Sequence, residues 1–206
     1  LCFLDITATS DNRQTLLDTV QKTAENCFIP LTVGGGVRKI SDIQNLLHAG
    51  ADKVSINTTA VTNRNFVKEA AEKYGTSTIV IAVDAKNNSQ KSWEVFTHGG
   101  RNATGIDVVD YCNEVASLGA GEILLTSMDK DGTKSGFDIE LLKKITSSVN
   151  IPVIASGGVG TLEHFAEGIL QGGVNSVLAA SVFHFGQFKI QDVKRYLADK
   201  NIPVRI

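Results

Sequence analysis

IPLTVGGGV at residues 29–37 returns later in the chain as IPVIASGGV at residues 151–159. Each copy is followed by a stretch of helical spacing that ends in a glycine, Gly50 or Gly172, and then by a second apolar run. The copies lie about 122 positions apart, so two complete strand-and-helix units are duplicated. A doubly wound sheet has no reason to repeat in this way, whereas two half-barrels that join into a (βα)8 barrel do.

Short apolar runs alternate along the chain with stretches of helical spacing. The runs show little polar alternation, which is typical of strands in a parallel sheet covered by helices. Extra apolar residues near 92–97 indicate a hairpin inserted after the fourth run. We therefore expect one α/β domain over residues 1–206, with the fold of a (βα)8 TIM barrel built from two half-barrel repeats. The predicted strands are residues 1–6, 31–33, 53–56, 78–83, 122–126, 153–155 and 176–179.

The internal repeat leaves the first half of the barrel one strand short. The chain opens inside an apolar run, LCFLDI, with no methionine and no polar residues before it. Because a barrel must close, we expect a first strand and helix of roughly 40–50 residues to precede residue 1. The alternative is a barrel that has seven strands by nature.

Composition narrows the class of protein. The 206 residues carry a net charge of −2, with 42% hydrophobic and 20% charged residues, which is ordinary globular usage. This balance favours neither nucleic acid nor a membrane surface, and no apolar run is long enough to span a bilayer. Cys2, Cys27 and Cys112 are widely spaced, which excludes a disulfide framework and indicates the reducing cytoplasm. The histidines lack ligand spacing, so we predict no metal site.

Glycines and hydroxyl residues follow two symmetry-related pairs of predicted strands. Glycine lets the backbone approach an anion closely, and neighbouring N–H and O–H groups can donate to it. We therefore predict two phosphate cradles at one mouth of the barrel, which suits a substrate phosphorylated at both ends. The alternative is that these glycines serve turns only. The first cradle is Gly36 with Asn57 and Thr58, and the second is Gly158 with Ala180 and Ser181.

Polar residues at other strand ends add candidates for chemistry. Asp84 ends an all-apolar strand, where desolvation raises a carboxyl pKa toward the range of a general acid or base. A cap for the following loop is the alternative. Asp5 and Thr126 end two further strands that correspond in the repeat. The polar loop that contains Asp131 and Gly132 can donate N–H groups to a phosphate and close over a ligand.

Three charged residues lie at the opposite ends of the predicted strands. Lys53 and Glu122 each begin a strand, and Asp52 directly precedes Lys53. These positions face the bottom of the barrel. From the residues alone, a solvated rim is the better interpretation.

Several segments together resemble the cyclase subunit of imidazole glycerol phosphate synthase. They are LDITA, TVGGGV, GADKVSINT, IAVDAK, GAGEILLTSMDKDGTKSGFD, IASGGVG and LAASVFHF. The resemblance runs from residue 1 to about residue 206. Isomerases of histidine synthesis share the half-barrel and its glycine loops, but they are not expected to combine LLTS and DGTKSG with ASVFHF.

The resemblance implies a lyase of histidine biosynthesis that requires no cofactor. Ammonia attacks phosphoribulosyl-formimino-aminoimidazole carboxamide ribonucleotide, which carries a phosphate at each end. The products are imidazole glycerol phosphate and aminoimidazole carboxamide ribonucleotide. The implied partner is a glutaminase subunit, docked at the bottom of the barrel, whose ammonia passes through the interior.

The resemblance also implies roles for individual residues. It makes Asp84 one of two catalytic aspartates; the other has no position in this chain, so we expect the 206 residues alone to be inactive. Lys53 and Glu122 correspond to a charged ammonia gate, and Asp52 lies beside it at the partner interface. Two alternatives stay open: a sugar isomerase of the same lineage, and a non-catalytic fragment that binds phosphate. The implied substrate and phosphate ligands are Asp5, Gly36, Asn57, Thr58, Thr126, Asp131, Gly132, Gly158, Ala180 and Ser181.

Overall fold

A computed structural model describes residues 1–5, 14–88 and 92–206 of the chain. Strands and helices alternate through these ranges. The strands are β1 Cys2–Leu4, β2 Thr32–Gly34, β3 Lys53–Ile56, β4 Ile79–Asn87, β5 Trp93–Thr97, β6 Asn102–Asp107, β7 Glu122–Ser127, β8 Val153–Ser156 and β9 Ser176–Val177. The helices are α1 Gln14–Ala24, α2 Ile40–His48, α3 Thr58–Thr62, α4 Arg64–Tyr74, α5 Val108–Ser117, α6 Ile139–Thr146, α7 Leu162–Leu170, α8 Ser181–His184 and α9 Ile190–Asp199, with a 3₁₀ turn at Thr76–Thr78.

The order of the strands in the sheet identifies the architecture. Seven parallel strands neighbour one another in the order β1-β2-β3-β4-β7-β8-β9, which is their order along the chain. Because crossovers between parallel strands are right-handed, an order without reversal places every crossover helix on the same face of the sheet. The sheet therefore curls as part of a barrel wall, and the predicted barrel-type α/β fold is confirmed. Within the described residues, β1 and β9 are the two edges of this wall.

The two faces of the sheet differ in character because side chains alternate along each strand. On the face toward the helices the side chains are apolar and almost completely buried, as at Val54, Ile81 and Leu125. On the inner face polar groups are interspersed with apolar ones, as at Asp84 and Thr126. The core therefore lies between sheet and helices, and the inner face is left to line a site.

A hairpin interrupts the alternation after β4. The strand β4 continues past its parallel neighbours, and its last four residues pair antiparallel with β5, from Asp84↔Phe96 to Asn87↔Trp93. The strand β6 then pairs with β5. The sequence predicted a hairpin near 92–97, and that segment is only its first strand. The second strand, Asn102–Asp107, has no buried residue and so carries no apolar signal.

The internal repeat is visible in the elements. The units β2-α2-β3 and β8-α7-β9 correspond, and α2 and α7 have nine residues each. A short helix follows each unit, α3 beginning at Thr58 and α8 at Ser181. These two helices were not predicted, because five and four residues are too short to show helical spacing. No helix in the described ranges is long and apolar enough to cross a membrane.

Candidate active site at the carboxyl ends of the strands

A cleft of about 710 Å³ opens at the carboxyl ends of β1 to β4 and β7; we call it the first cleft. Six of the residues singled out from the sequence line it, although they come from five different strands and loops. This is the end of a barrel at which parallel strands converge, so side chains distant in sequence meet there. Those six residues are Asp5, Gly36, Asn57, Thr58, Asp84 and Thr126.

Asp84 is half-buried on the inner face of β4, at the floor of the first cleft. Asn57 Nδ2 donates a hydrogen bond of 3.0 Å to Asp84 Oδ2. Burial raises the pKa of the Asp84 carboxyl above its ordinary value; the Asn57 bond opposes this shift, and the negative charge of Asp131 adds to it. A carboxyl group with a raised pKa, held in one orientation at a cleft floor, can exchange a proton with a bound ligand.

The glycine side of the first cleft comes from the turn after β2. Gly35 and Gly36 have φ of 107° and 69°, in the left-handed region that favours glycine. A Cβ on Gly35 would lie 2.3 Å from the carbonyl oxygen of Asp5, so no larger residue fits between β1 and β2 at this level. The turn therefore brings bare backbone to the cleft wall.

The hydroxyl side of the first cleft comes from the start of α3. The first internal hydrogen bond of this helix runs from Ala60 N to Asn57 O, so the N–H groups of Thr58 and Thr59 precede the helical ladder. The hydroxyl oxygen of Thr58 accepts a 3.0 Å hydrogen bond from the backbone N–H of His98 in the hairpin turn. With one lone pair used in this way, the Thr58 O–H is left to donate to an anion.

A second cleft, of about 190 Å³, opens beside β8 and β9. Its wall includes the loop that follows β7, which is joined to the turn after β8 by a 2.8 Å bond from Gly136 N to Gly158 O. Gly158 has φ of 102°, and a Cβ there would lie 2.1 Å from the Gly136 carbonyl oxygen. All the remaining predicted phosphate ligands line this cleft: Asp131, Gly132, Gly158, Ala180 and Ser181.

A family model described as "Histidine biosynthesis protein" matches residues 1–189. The chain belongs to this family. The matched range contains every residue that lines either cleft. The two clefts of this histidine biosynthesis protein therefore belong to the part of the chain that defines its family.

The opposite end of the barrel wall holds a part-buried ion pair. Lys53 Nζ donates to Glu122 Oε1, and the side chains are 27% and 21% exposed. Their strands, β3 and β7, are separated by β4, so the two side chains meet across β4 on the inner face. The carboxylate of neighbouring Asp52 accepts a 2.7 Å bond from Leu31 N. Lys53 and Glu122 of this histidine biosynthesis protein are thus paired and part-buried, whereas Asp52 is exposed and bonded to the backbone of Leu31.

Two basic residues and the hairpin turn were not singled out as ligands from the sequence. Arg38 and His98 line the first cleft, and Lys134 lines the second. The two basic residues carry a readable signal, since each follows a glycine-containing turn at the end of a strand. His98 carried no such signal, because its place depends on the unpredicted second strand of the hairpin.

Among the described residues, no group of three or more His, Cys, Asp or Glu side chains is arranged to hold a metal ion.

Proposed function

We propose that this protein is the cyclase subunit of imidazole glycerol phosphate synthase, a lyase. Its substrate would be phosphoribulosyl-formimino-aminoimidazole carboxamide ribonucleotide, its second substrate ammonia, and its products imidazole glycerol phosphate and aminoimidazole carboxamide ribonucleotide. One observation carries the proposal: two clefts with glycine and hydroxyl walls lie at one end of the barrel wall, and the desolvated Asp84 forms the floor of the first. That arrangement suits a substrate with a phosphate at each end and its reacting centre between them.

Binding in the proposed reaction is divided between the clefts. Thr58 and the backbone of Gly36 hold one phosphate, while Ser181 and the backbone of Gly158 hold the other. Arg38 and Lys134 supply positive charge, one to each cleft. Two anchored ends leave the reacting bonds little freedom of movement, which lowers the entropic part of the barrier.

Proton transfer is assigned to Asp84. Nitrogen that adds as ammonia must lose protons before the ring closes, and the departing aminoimidazole must gain one. The raised pKa of the Asp84 carboxyl lets it take up and release a proton near neutral pH more readily than an ordinary aspartate. Asn57 fixes the orientation of the carboxyl group through its 3.0 Å hydrogen bond. Asp5 and Thr126, on either side in the first cleft, contact the substrate.

Ammonia is proposed to come from a glutaminase subunit docked at the bottom of the barrel, near Asp52. The ion pair of Lys53 and Glu122 lies on the inner face of the wall, below the first cleft. Above it the inner face presents small or apolar side chains, including Ala82 and Leu124, which also line that cleft. An uncharged molecule of the size of ammonia could pass along such a surface once the ion pair opens.

A cytoplasmic location is part of the same proposal. Cys2, Cys27 and Cys112 are all free thiols that form no disulfide. Burial raises the pKa of the Cys112 thiol to about 12, so it stays protonated and unreactive. Free thiols of this kind are typical of proteins in a reducing compartment.

The proposal is tested by supplying the proposed substrate to the full-length gene product with and without ammonium salt. We expect imidazole glycerol phosphate to form only when ammonium is present, and the Asp84→Asn variant to lose that turnover. Conversion of the aldose isomer of the substrate without ammonium would instead identify a sugar isomerase of the same lineage. Binding of the substrate without any conversion would leave a phosphate-binding protein.

A further inference from the structure

The β5–β6 hairpin, residues 93–107, is fastened at its base to the second half of the barrel wall. Trp93 Nε1 donates a 3.0 Å hydrogen bond to Asp138 Oδ2, which also accepts from Ser127 Oγ at 3.2 Å. The other oxygen of Asp138 caps α6 by accepting from Leu141 N at 3.1 Å. Trp93 is only 6% exposed, and Ser127 only 3%. A half-buried carboxylate that accepts three hydrogen bonds is a rigid junction.

A second fastening lies at the end of β4, where the hairpin begins. The backbone N–H of Asn87 donates a 2.7 Å hydrogen bond to Asp129 Oδ2. Asp129 belongs to the same loop as Asp138, the loop that follows β7. The loop therefore contacts the hairpin directly through Asp138, and through Asp129 it holds Asn87, the residue of β4 that pairs with Trp93.

The far end of the hairpin reaches the first cleft. Its turn carries His98 and Gly99, both of which line that cleft, and the N–H of His98 donates to the hydroxyl oxygen of Thr58. The turn also passes close to the loop after β7: a Cβ on Gly100 would lie 2.8 Å from Met128 Cε. One end of the hairpin thus orients a wall residue of the first cleft.

The loop to which the hairpin is fastened is itself a wall of the second cleft. Asp131, Gly132 and Lys134 of this loop line the second cleft. The charge of Asp131 is also near enough to raise the pKa of Asp84 in the first cleft. A continuous set of contacts therefore runs from the second cleft, through the carboxylates of Asp129 and Asp138, to Thr58.

We propose that the β5–β6 hairpin is a bridge that fixes the separation between the two clefts, and that Trp93 and Asp129 are positioning residues for this bridge. The protein then selects ligands by the distance between their two phosphate groups. This inference rests on the proposed function, because it takes both clefts to hold phosphates of one substrate. Neither Trp93 nor Asp129 lines a cleft, so each acts only through the elements it joins.

The physical basis is the effective concentration of the second phosphate. Once one end of a ligand is bound, the other end meets its cleft at a concentration set by the ligand length and the spacing of the sites. If the spacing of the clefts is rigid, ligands of one length bind much more tightly than the others. If the spacing is loose, ligands of several lengths gain a smaller increase in affinity. Loosening the bridge should therefore weaken a well-matched bisphosphate without changing the binding of a single phosphate, because the ligands within each cleft remain.

The test uses a series of linear α,ω-alkanediol bisphosphates of increasing length, with inorganic phosphate as the single-anion probe. Isothermal titration calorimetry gives Kd for each ligand with the wild-type protein and with Trp93→Phe and Asp129→Ala. Trp93→Phe keeps an aromatic ring but removes the N–H donor, and Asp129→Ala changes an exposed residue that poses little risk to folding. Glu114→Gln is the matched control, because it weakens a 2.9 Å contact of Glu114 with Arg64 that also joins two elements but lies off the bridge.

We expect the wild-type protein to prefer one ligand length and to bind it at least about 100-fold more tightly than inorganic phosphate. Both bridge variants should lose about tenfold of that preference and bind inorganic phosphate within about twofold of wild type. Glu114→Gln should keep the full preference. A wild-type protein with no length preference would defeat the two-phosphate site of the proposed function itself. A preference that survives in both bridge variants, or a parallel loss of inorganic phosphate binding, would defeat the bridge alone.

Discussion

At the scale of single residues, the burial of Asp84 affects two properties: the protonation of its carboxyl group and the stability of the fold. Burial raises the pKa of its carboxyl in the folded protein. The folded state therefore binds more protons than the unfolded state between the ordinary aspartate pKa and the raised one. Over that window the free energy of unfolding falls as pH rises, and above it the cost of the buried charge is fully present.

Replacement of Asp84 by asparagine should separate these effects. The amide keeps an oxygen to accept from Asn57 but carries no charge, so at neutral pH the variant should unfold at a higher urea concentration than wild type. Its ammonium-dependent turnover should fall by about 10²–10⁴-fold, because the amide cannot exchange a proton. A variant that is less stable than wild type at neutral pH, or that keeps a tenth of the turnover, would contradict this account.

Thr58 should show a graded dependence on its hydroxyl. Thr58→Val removes both the acceptor for the His98 N–H and the donor to the phosphate, and hydrogen bonds to charged groups are worth about 1.5–3 kcal/mol. We expect KM of the proposed substrate to rise about 10-fold or more in Thr58→Val, and to stay near the wild-type value in Thr58→Ser. Steady-state kinetics measure both variants. A larger rise of KM in Thr58→Ser than in Thr58→Val would mean that the methyl group, not the hydroxyl, matters.

Part of each cleft could be predicted, because strand ends converge in a barrel and a polar residue that directly follows an apolar run therefore lies at the mouth. Asn57, Asp84 and Thr126 were predicted in this way and lie in one cleft. His98 could not be predicted, because its position depends on the pairing of β5 with β6, and β6 has no buried residue that would give a periodic signal. The partnership of Lys53 with Glu122 likewise spans an intervening strand and is not readable from the neighbours of either residue.

At the scale of elements, the turns after β7 and β8 depend on the absence of a side chain at Gly158. Gly158→Ala should cost about 3 kcal/mol, from left-handed strain and from overpacking against the Gly136 carbonyl. Gly132→Ala is the matched control, since Gly132 has φ of 75° but open space around a built Cβ. It should cost only about 1 kcal/mol.

Urea unfolding of the two glycine variants gives both free energies. Equal losses of stability in the two variants would show that φ alone, and not the close approach, requires glycine at 158.

The elements themselves were predicted to different degrees. Long helices such as α4 and α5 show several turns of apolar spacing, and their existence is readable from sequence. The short helices α3 and α8 offer a single turn, and they begin at the cleft residues Thr58 and Ser181. The helices closest to the site were thus the hardest to predict. Each is too short to show apolar periodicity in the sequence.

At the scale of the whole molecule, the longest strand pairing lies in the middle of the sheet. The strand β4 pairs with β3 on one side and with β7 on the other, and the β4–β7 register runs from Val80↔Glu122 to Ala85↔Ser127. The described edges are far shorter, with three residues in β1 and two in β9. The free energy of local opening should therefore be greatest at β4 and β7 and least at β1 and β9.

Hydrogen–deuterium exchange measures this directly. We expect the amides of Ile81, Val83, Leu124 and Leu125 to be among the last to exchange, and those of β1 and β9 to exchange at least about tenfold faster, because less than the whole fold must open to release them. Uniform protection across all seven parallel strands would mean that the wall unfolds only as one unit.

The strand order was predictable for a reason peculiar to this chain. A duplicated segment indicates two units with equivalent neighbours, which favours two joined half-barrels over a doubly wound sheet. Contacts made once only, such as Trp93 with Asp138, have no second copy to reveal them. The repeat therefore predicts the strand order of the wall, whereas the contacts of the hairpin are known only from the structure.

Trp93 is the only tryptophan in the chain, and it lies at the junction between the hairpin and Asp138. Intrinsic indole fluorescence from this protein thus comes from one residue. Its side chain is buried, and its indole N–H donates to a carboxylate. Detachment of the hairpin would expose the indole to water and shift its emission to longer wavelength well before the rest of the fold is lost. Trp93 emission is therefore an intrinsic, label-free measure of whether the hairpin is attached to the loop after β7.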